Sequence, residues 1–262
     1  MIYFIDVQGT LIDDKDKKPI PGAIEFINDL NSRKIPYIVV TNNTKRDSID
    51  FINYLNNIGF NLNEKNYIDP LMILNEIIKE KNIAVYGTEE FLKIVDTLGY
   101  KKDFKNPEAV LVSIKDDYKF DEFAQIIDFL LNGAKLYGMH KTAIYAKNSK
   151  RYPGVGAILE MLKFATKKEY KVIGKPSDIF FKKALDKLKK SIKKDISFKD
   201  ITIISDDVIG DLIEAKNLGM KTVFVLSGKF RDEKEILPYL KKEEKPDMTV
   251  KSIGYIQKMG VI

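Results

Sequence analysis

The chain has 262 residues, 44% of them hydrophobic and 31% charged, enough to bury a substantial core and form two modest domains, which excludes a disordered tail protein. Cysteine is absent, so disulfides, thiolate zinc sites and cysteine nucleophiles are excluded, and the composition fits a reducing, cytoplasmic compartment. The net charge of +6 is spread over dispersed lysines, which argues against a nucleic-acid partner.

The opening MIYFIDVQGT has no basic stretch followed by a long apolar one, and no later window approaches the roughly 20 apolar residues of a membrane span. The chain therefore reads as soluble, with no membrane partner. Ile2 to Ile5 is a β-rich run that delivers Asp6 to a strand tip, and Gly9-Thr10 then permits a tight turn whose backbone N–H groups can cradle a phosphate. In isolation Asp6 reads better as an Asx-turn at a strand end. Pro21-Gly22 opens a helix over Ala23 to Ser32. Tyr37 to Val40 is a second buried strand, ending in Thr41-Asn42-Asn43, neutral donors that can hold phosphoryl oxygens without adding negative charge. Thr44 with Asp47 resembles a capping pair before a helix from Ile49 to Ile58, which Gly59 closes.

Further strands are expected at Ile83 to Tyr86 and Val110 to Val112, then at Ile201 to Ile204 and Val223 to Leu226. Between the two groups, Val172-Ile173-Gly174-Lys175-Pro176 pins a lysine in a loop where it offers a point charge to a phosphate. The lysine-rich run Lys182 to Lys194 carries an apolar stripe at Phe181, Leu185, Leu188 and Ile192, the pattern of a helix with one wet face. Ser205-Asp206-Asp207-Val208-Ile209-Gly210-Asp211 places three carboxylates beyond a strand; they repel one another unless a cation neutralises them, and hard oxygen ligands favour magnesium.

Strands alternating with helices predict a parallel sheet covered by helices, with active residues at the carboxyl ends of the strands. Residues 79–170 read as a second α/β unit inserted between the two halves of the first, 1–78 and 171–262. A dinucleotide or P-loop module is excluded, since Gly154-Val155-Gly156 lacks the third glycine and no G-x-x-x-x-G-K-[ST] run exists.

In this order the four strand-end motifs resemble those of the haloacid dehalogenase superfamily. Pro21-Gly22-Ala23, Thr41-Asn42-Asn43 and Gly174-Lys175-Pro176-Ser177 are similar to its NagD-like subclass, with a large cap inserted after the second motif. Asp206-Asp207-Val208-Ile209-Gly210-Asp211 with Ser227-Gly228-Lys229-Phe230-Arg231 is similar to the branch of the phospholysine/phosphohistidine/inorganic-pyrophosphate phosphatases. The resemblance implies a Rossmann-like α/β core with an inserted α/β cap that closes over the site, and a magnesium-dependent hydrolase of small phosphorylated substrates. It implies Asp6 as the nucleophile, and Mg2+ held by Asp6, the backbone carbonyl of Gln8 and Asp206, with Asp211 ordering its water shell and Asp207 a further candidate for that role. Gly9, Thr41, Asn42, Asn43 and Lys175 are implied to hold the phosphoryl group, and a homodimer through the cap is allowed.

Two departures stand out. Gln8 occupies the place of the usual acid/base aspartate, so the chain is either an enzyme for leaving groups that need little protonation or a weak or inactive protein that binds magnesium and phosphate. Asp13, Asp14 and Asp207 are candidate bases by proximity in sequence only. Ser205 stands where the family usually has glycine, and its small size implies a minor backbone adjustment. In the inserted segment, His140 and the stretch Arg151-Tyr152-Pro153-Gly154 are candidates for contact with substrate, His140 being the only histidine.

Overall fold

Strands that are buried on both faces have no need of alternation, and the runs at the start of this chain, Ile-Tyr-Phe-Ile and Tyr-Ile-Val-Val, form the centre of a parallel sheet for that reason. A computed structural model describes residues 1–147 and 150–258. The first three strands are β1 (Ile2–Ile5), β2 (Tyr37–Val40) and β3 (Tyr67–Ile68). The inserted stretch carries β4 (Asn82–Tyr86), β5 (Lys101–Lys102), β6 (Ala109–Val112), β7 (Lys135–Gly138), β8 (Ile144–Lys147), β9 (Lys150–Pro153) and β10 (Tyr170–Val172). The chain then returns through β11 (Ile201–Ser205), β12 (Lys221–Val225) and β13 (Met248–Val250).

Two compact units result. The first comprises Met1–Thr41, Ile49–Ile68 and Phe181–Ile262 by chain segment, and the second comprises Asn42–Ser48 and Asp69–Phe180. The first is built on a six-stranded parallel sheet in the order β13-β12-β11-β1-β2-β3. From β1 the chain steps one way to β2 and β3, and later continues on the other side from β11, so the order reverses between β1 and β11. That reversal opens a crevice at the carboxyl ends of the strands. Ile5 lies opposite Ile204 and Val39, which sets the polar residues that follow at one edge of the sheet.

Both faces of this sheet are covered. Tyr3 meets Phe26 of helix α1 (Ala23–Ser32) edge-on with ring centroids 5.9 Å apart. Phe4, one residue on, points the opposite way and stacks on Phe181 at 6.5 Å. Each such aromatic contributes about 1.5–3 kcal/mol on full burial. The α1 face that packs inward is Ala23, Phe26, Ile27 and Leu30, at helical spacing. Helix α2 (Ser48–Asn57) starts at Ser48, so Thr44 stands too far upstream to cap it, and Asn43 and Arg46 instead close the intervening turn on each other.

In the second unit, α3 (Pro70–Ile77) is capped by Asp69, whose carboxylate accepts from the Met72 N–H at 3.1 Å. A second parallel sheet runs β10-β7-β6-β4-β5, with α4 (Glu89–Thr97), α5 (Phe120–Leu131) and α6 (Val155–Thr166) in its connections. Val110, Val112 and Leu136 of its strands pack with Ile126, Leu130, Leu159 and Leu162 of the last two helices, while β8 and β9 form a separate antiparallel hairpin. Helix α7 (Asp178–Ile192) buries Phe181, Leu185 and Leu188, with Ile192 partly buried at its end; of the lysines that the stripe puts on the wet face, Lys190 and Lys194 are exposed, whereas Lys183 and Lys187 are half-buried. The chain closes through α8 (Ile213–Asn217) and α9 (Ile253–Lys258). Among the described residues no helix is long and apolar enough to cross a membrane.

Gly22 opens α1 with φ of 87°, and a Cβ there would fall 2.5 Å from the Gly254 Cα of α9. Gly22→Ala is expected to lower stability by about 1–2 kcal/mol from the left-handed backbone alone, and by more as the two helices are forced apart. Urea unfolding of the variant against the parent measures this.

Candidate active site

Asp6 follows β1 directly, and its backbone N–H donates to the Ile204 carbonyl at 2.9 Å, holding it beside the end of β11. The chain then turns back on itself. The Leu11 and Ile12 N–H groups both donate to the Val7 carbonyl, and the Gly9 N–H donates to the Ile12 carbonyl at 2.7 Å. Gly9 takes φ of 75°, and a Cβ on it would lie 2.3 Å from Asp206 Oδ2, so only glycine lets this turn and that carboxylate approach. The Ser227 hydroxyl donates to the Gly9 carbonyl at 2.7 Å and ties the turn to the loop after β12.

Asp6 and Asp206 are 5% and 3% exposed, so both are withdrawn from water. Burial, and after it the negative charge of Asp6, push the Asp206 carboxyl well above the usual carboxylate range, against a hydrogen bond from the Lys229 N–H at 2.7 Å. Two buried carboxylates that oppose each other's ionisation make a site for a positive charge. Among the described residues no three acidic or histidine side chains converge as a metal cluster. The donor set that fits a hard cation is therefore two carboxylates completed by a backbone carbonyl, with Gln8 in the same turn, and oxygen-only donors suit magnesium.

The other acidic residues of this tip are already engaged. Asp207 pairs with the Lys229 ammonium and accepts from the Gly210 N–H at 2.8 Å. Burial lowers the tendency of Lys229 to stay charged, but Asp207 outweighs this and holds the ammonium above its ordinary value. Asp211, 3% exposed, accepts from the Ser205 hydroxyl at 2.6 Å. Asp13 accepts from the backbone N–H groups of Asp16, Lys18 and Lys15, and these bonds, that from Asp16 foremost, hold its carboxyl below its ordinary value. A general base wants a value nearer neutrality, so this is an adverse trait in a candidate base. Asp14 is exposed and lies 3.8 Å from the Lys17 ammonium.

Thr41 is buried at the end of β2, and its hydroxyl donates to Gln8 Oε1 at 3.0 Å. The Gln8 amide is thereby oriented, its carbonyl toward Thr41 and its N–H groups away from it. Asp6, Gln8, Gly9, Thr41, Asp206 and Asp211 all belong to the first unit.

The remaining predicted residues belong to the second unit, and the side chains of Asn42 and Asn43 explain why. Asn42 Oδ1 accepts from the Lys175 N–H at 2.8 Å and its Nδ2 donates to the Lys175 carbonyl at 3.2 Å, a two-way clasp on a backbone 133 residues away. Asn43 Nδ2 donates to Asp69 Oδ2 at 3.1 Å, and the Ser48 hydroxyl donates to the other oxygen at 2.9 Å. Thus Asn42 positions Lys175, and Asn43 holds its own loop. Lys175 is buried and precedes a cis bond to Pro176. His140 is buried as well, and its Nδ1 accepts from the Thr142 N–H at 3.4 Å, while Arg151 is exposed on β9.

Sequence reasoning passed over the engagement of Asp207 by Lys229 and the two hydrogen bonds of Ser205, which do more than the minor adjustment expected of a small residue.

Residues 3–101 match the family model described as haloacid dehalogenase-like hydrolase, and residues 172–255 match a second, HAD-hydrolase-like model. The chain is 28% identical over 248 residues to haloacid dehalogenase-like hydrolase domain-containing protein 2 of Mus musculus, covering 92% of each. It is 25% identical over 262 residues to the phospholysine phosphohistidine inorganic pyrophosphate phosphatase of Homo sapiens, covering 96% of this chain and 92% of that one. Its fold superposes on that of a p-nitrophenyl phosphatase from Archaeoglobus fulgidus with a TM-score of 0.84 at 23% identity, over 98% of both chains.

The strained carboxylate pair gives a testable consequence. In metal-free protein Asp206→Asn, which keeps an acceptor for the Lys229 N–H, is expected to raise the thermal midpoint by roughly 2–4 °C for each kcal/mol of repulsion removed. The same change is expected to abolish any further rise on adding MgCl2; scanning calorimetry with and without the salt reads both.

Proposed function

The chain belongs to the haloacid dehalogenase-like hydrolases, and from that premise we propose that it is a magnesium-dependent phosphatase acting on small phosphorylated compounds through a covalent aspartyl phosphate at Asp6. The observation that carries this reading is the buried pair of Asp6 and Asp206 at the crevice edge of the first sheet. The names of two relatives, a phosphatase of phospholysine, phosphohistidine and pyrophosphate and one of p-nitrophenyl phosphate, point the same way.

Magnesium, held by Asp6, the Gln8 carbonyl and Asp206, would supply charge neutralisation for the carboxylates and for the phosphoryl oxygens. A carboxylate oxygen of Asp6 forms the new bond to phosphorus, and the bond to the leaving group breaks in line, its electron pair departing with that group. Lys175 is assigned the positive charge that offsets repulsion between Asp6 and the phosphoryl group, with Asn42 fixing its backbone. Thr41 is assigned to orienting Gln8.

Gln8 cannot give up a proton to the leaving atom. Its N–H groups can only donate a hydrogen bond, which suits leaving groups that depart with little protonation: phosphoramidates, acyl phosphates and aryl phosphates. Loss of general acid/base help costs roughly 10²- to 10⁴-fold in turnover for ordinary alkyl phosphates. The same glutamine favours one second reading, a protein that binds magnesium and phosphate without turnover.

Release of inorganic phosphate from acetyl phosphate, 4-nitrophenyl phosphate, pyrophosphate and a phosphoramidate separates the two. Magnesium-dependent release is expected, lost in Asp6→Asn. For alkyl phosphates Gln8→Asp is expected to raise turnover by about 10²-fold or more. If the parent protein binds magnesium and phosphate but releases nothing, the second reading replaces the first.

A further inference from the structure

Asp69 caps helix α3 from a position with no exposure to water. Serine or asparagine would cap as well, and a buried carboxylate is costly unless both its oxygens find donors. Here both do. Oδ1 accepts from the Met72 N–H at 3.1 Å and from the Ser48 hydroxyl at 2.9 Å, and Oδ2 accepts from Asn43 Nδ2 at 3.1 Å. A neutral amide at this position would turn N–H groups toward one of these donors, so the carboxylate serves the loop from Asn43 to Ser48 as well as the helix. Within that loop Asn43 is closed on Arg46, its Nδ2 donating to the carbonyl at 2.8 Å and its Oδ1 accepting from the N–H at 3.3 Å. These bonds fix the amide's orientation and aim its second Nδ2 hydrogen at Asp69.

We infer that Asp69 is a positioning residue for Lys175: through Asn43 and Ser48 it holds the loop from which Asn42 clasps the lysine's backbone. The inference rests on the assignment of Lys175 to the phosphoryl group given above. Asn42 engages both the N–H and the carbonyl of Lys175, and Gly174 lets it in, since a Cβ on Gly174 would lie 2.4 Å from Asn42 Oδ1. A two-way clasp of that kind needs the Asn42 backbone to stay where it is, and the next residue, Asn43, is the one that Asp69 grips. Lysine carries its charge on a flexible four-carbon stem, so the placement of its backbone decides which positions the ammonium reaches. Asp69, Ser48, Asn43, Asn42 and Lys175 all fall within the second unit. Asp6, Gln8 and Asp206, to which the cation is assigned, fall within the first. Weakening the Asp69 grip is therefore felt by phosphate and not by magnesium.

The test is titration of inorganic phosphate into the full chain in excess MgCl2 by calorimetry, comparing the parent with Asp69→Asn, Lys175→Ala and the double variant, alongside magnesium affinity and the thermal midpoint of each. Asp69→Asn keeps an oxygen for the Met72 N–H and the Ser48 hydroxyl, so the helix cap survives, and it sets an N–H group against Asn43. The expected result is phosphate affinity weakened about 10-fold in Asp69→Asn with magnesium affinity unchanged, and a double variant no weaker than Lys175→Ala alone, because residues acting along one path do not add. Phosphate affinity within about threefold of the parent in Asp69→Asn, or in Asp69→Ser should the asparagine variant not fold, overturns the inference even where the midpoint drops, because a merely structural role moves only the latter. Losses that multiply in the double variant overturn it as well. If Lys175→Ala keeps the parent's phosphate affinity, the assignment of Lys175 falls and takes the inference with it, whereas a parent that binds no phosphate overturns the phosphatase reading itself.

Discussion

The arrangement at the tip of the first sheet depends on one electrostatic constraint, the burial of Asp6 and Asp206 within reach of each other's charge. Taking ionised carboxylates out of water is costly unless they gain a partner of opposite charge or several donors. The local structure meets that cost in pieces. The Lys229 N–H is aimed at Asp206, Gly9 supplies the only side chain small enough to let the turn close on it, and Ser227 fastens that turn in place. None of these supplies a full positive charge at the pair itself, and the Lys229 ammonium is directed to Asp207 instead. The heavily apolar sheet beneath lets the fold carry what remains of the cost of burying the pair.

Where the fold was legible in sequence, the reason was burial. Strands such as β1, β2 and β6 are uninterrupted apolar runs that stop just before the first polar residue, and β11 is apolar but for Thr202 and its final Ser205. The strands that escaped notice are short or mixed, such as β3 with two residues, β5 with two lysines, and β10 with Tyr-Lys-Val. Their extended conformation is imposed by a neighbouring strand, and no local propensity announces it. Helix α1 was readable to its ends because Pro21-Gly22 marks its start. Helix α2 was placed to within one residue at each end, and what escaped was its opening residue, since Ser48 is drawn to Asp69, 21 positions on.

For the site the division is similar. Residue types and order, with the resemblance they carry, put forward Asp6, Gln8, Thr41, Lys175, Asp206 and Asp211 as candidates. What they could not reveal was division of labour among like residues. Asn42 and Asn43 are adjacent and chemically identical, yet one clasps Lys175 and the other Asp69. Asp206 and Asp207 are equally adjacent, and only the second meets an ammonium. Such assignments are made by partners distant in the chain, and no single-sequence signal encodes them.

The pairing of β1 with β11 has a consequence for how the protein is made. Ile2 lies opposite Ile201, so one side of the first strand is covered early by β2 while the other waits for a partner some 200 residues downstream. At synthesis rates of about 5–20 residues per second, that wait lasts on the order of 10–40 s on the ribosome. During it the chain carries an apolar strand with an open hydrogen-bonding edge, the kind of surface that recruits chaperones or other nascent chains. The Asp69–Phe180 segment has no such debt, because all the strands of its sheet emerge within one continuous stretch. It can complete its hydrogen bonding while the first unit still waits for its centre.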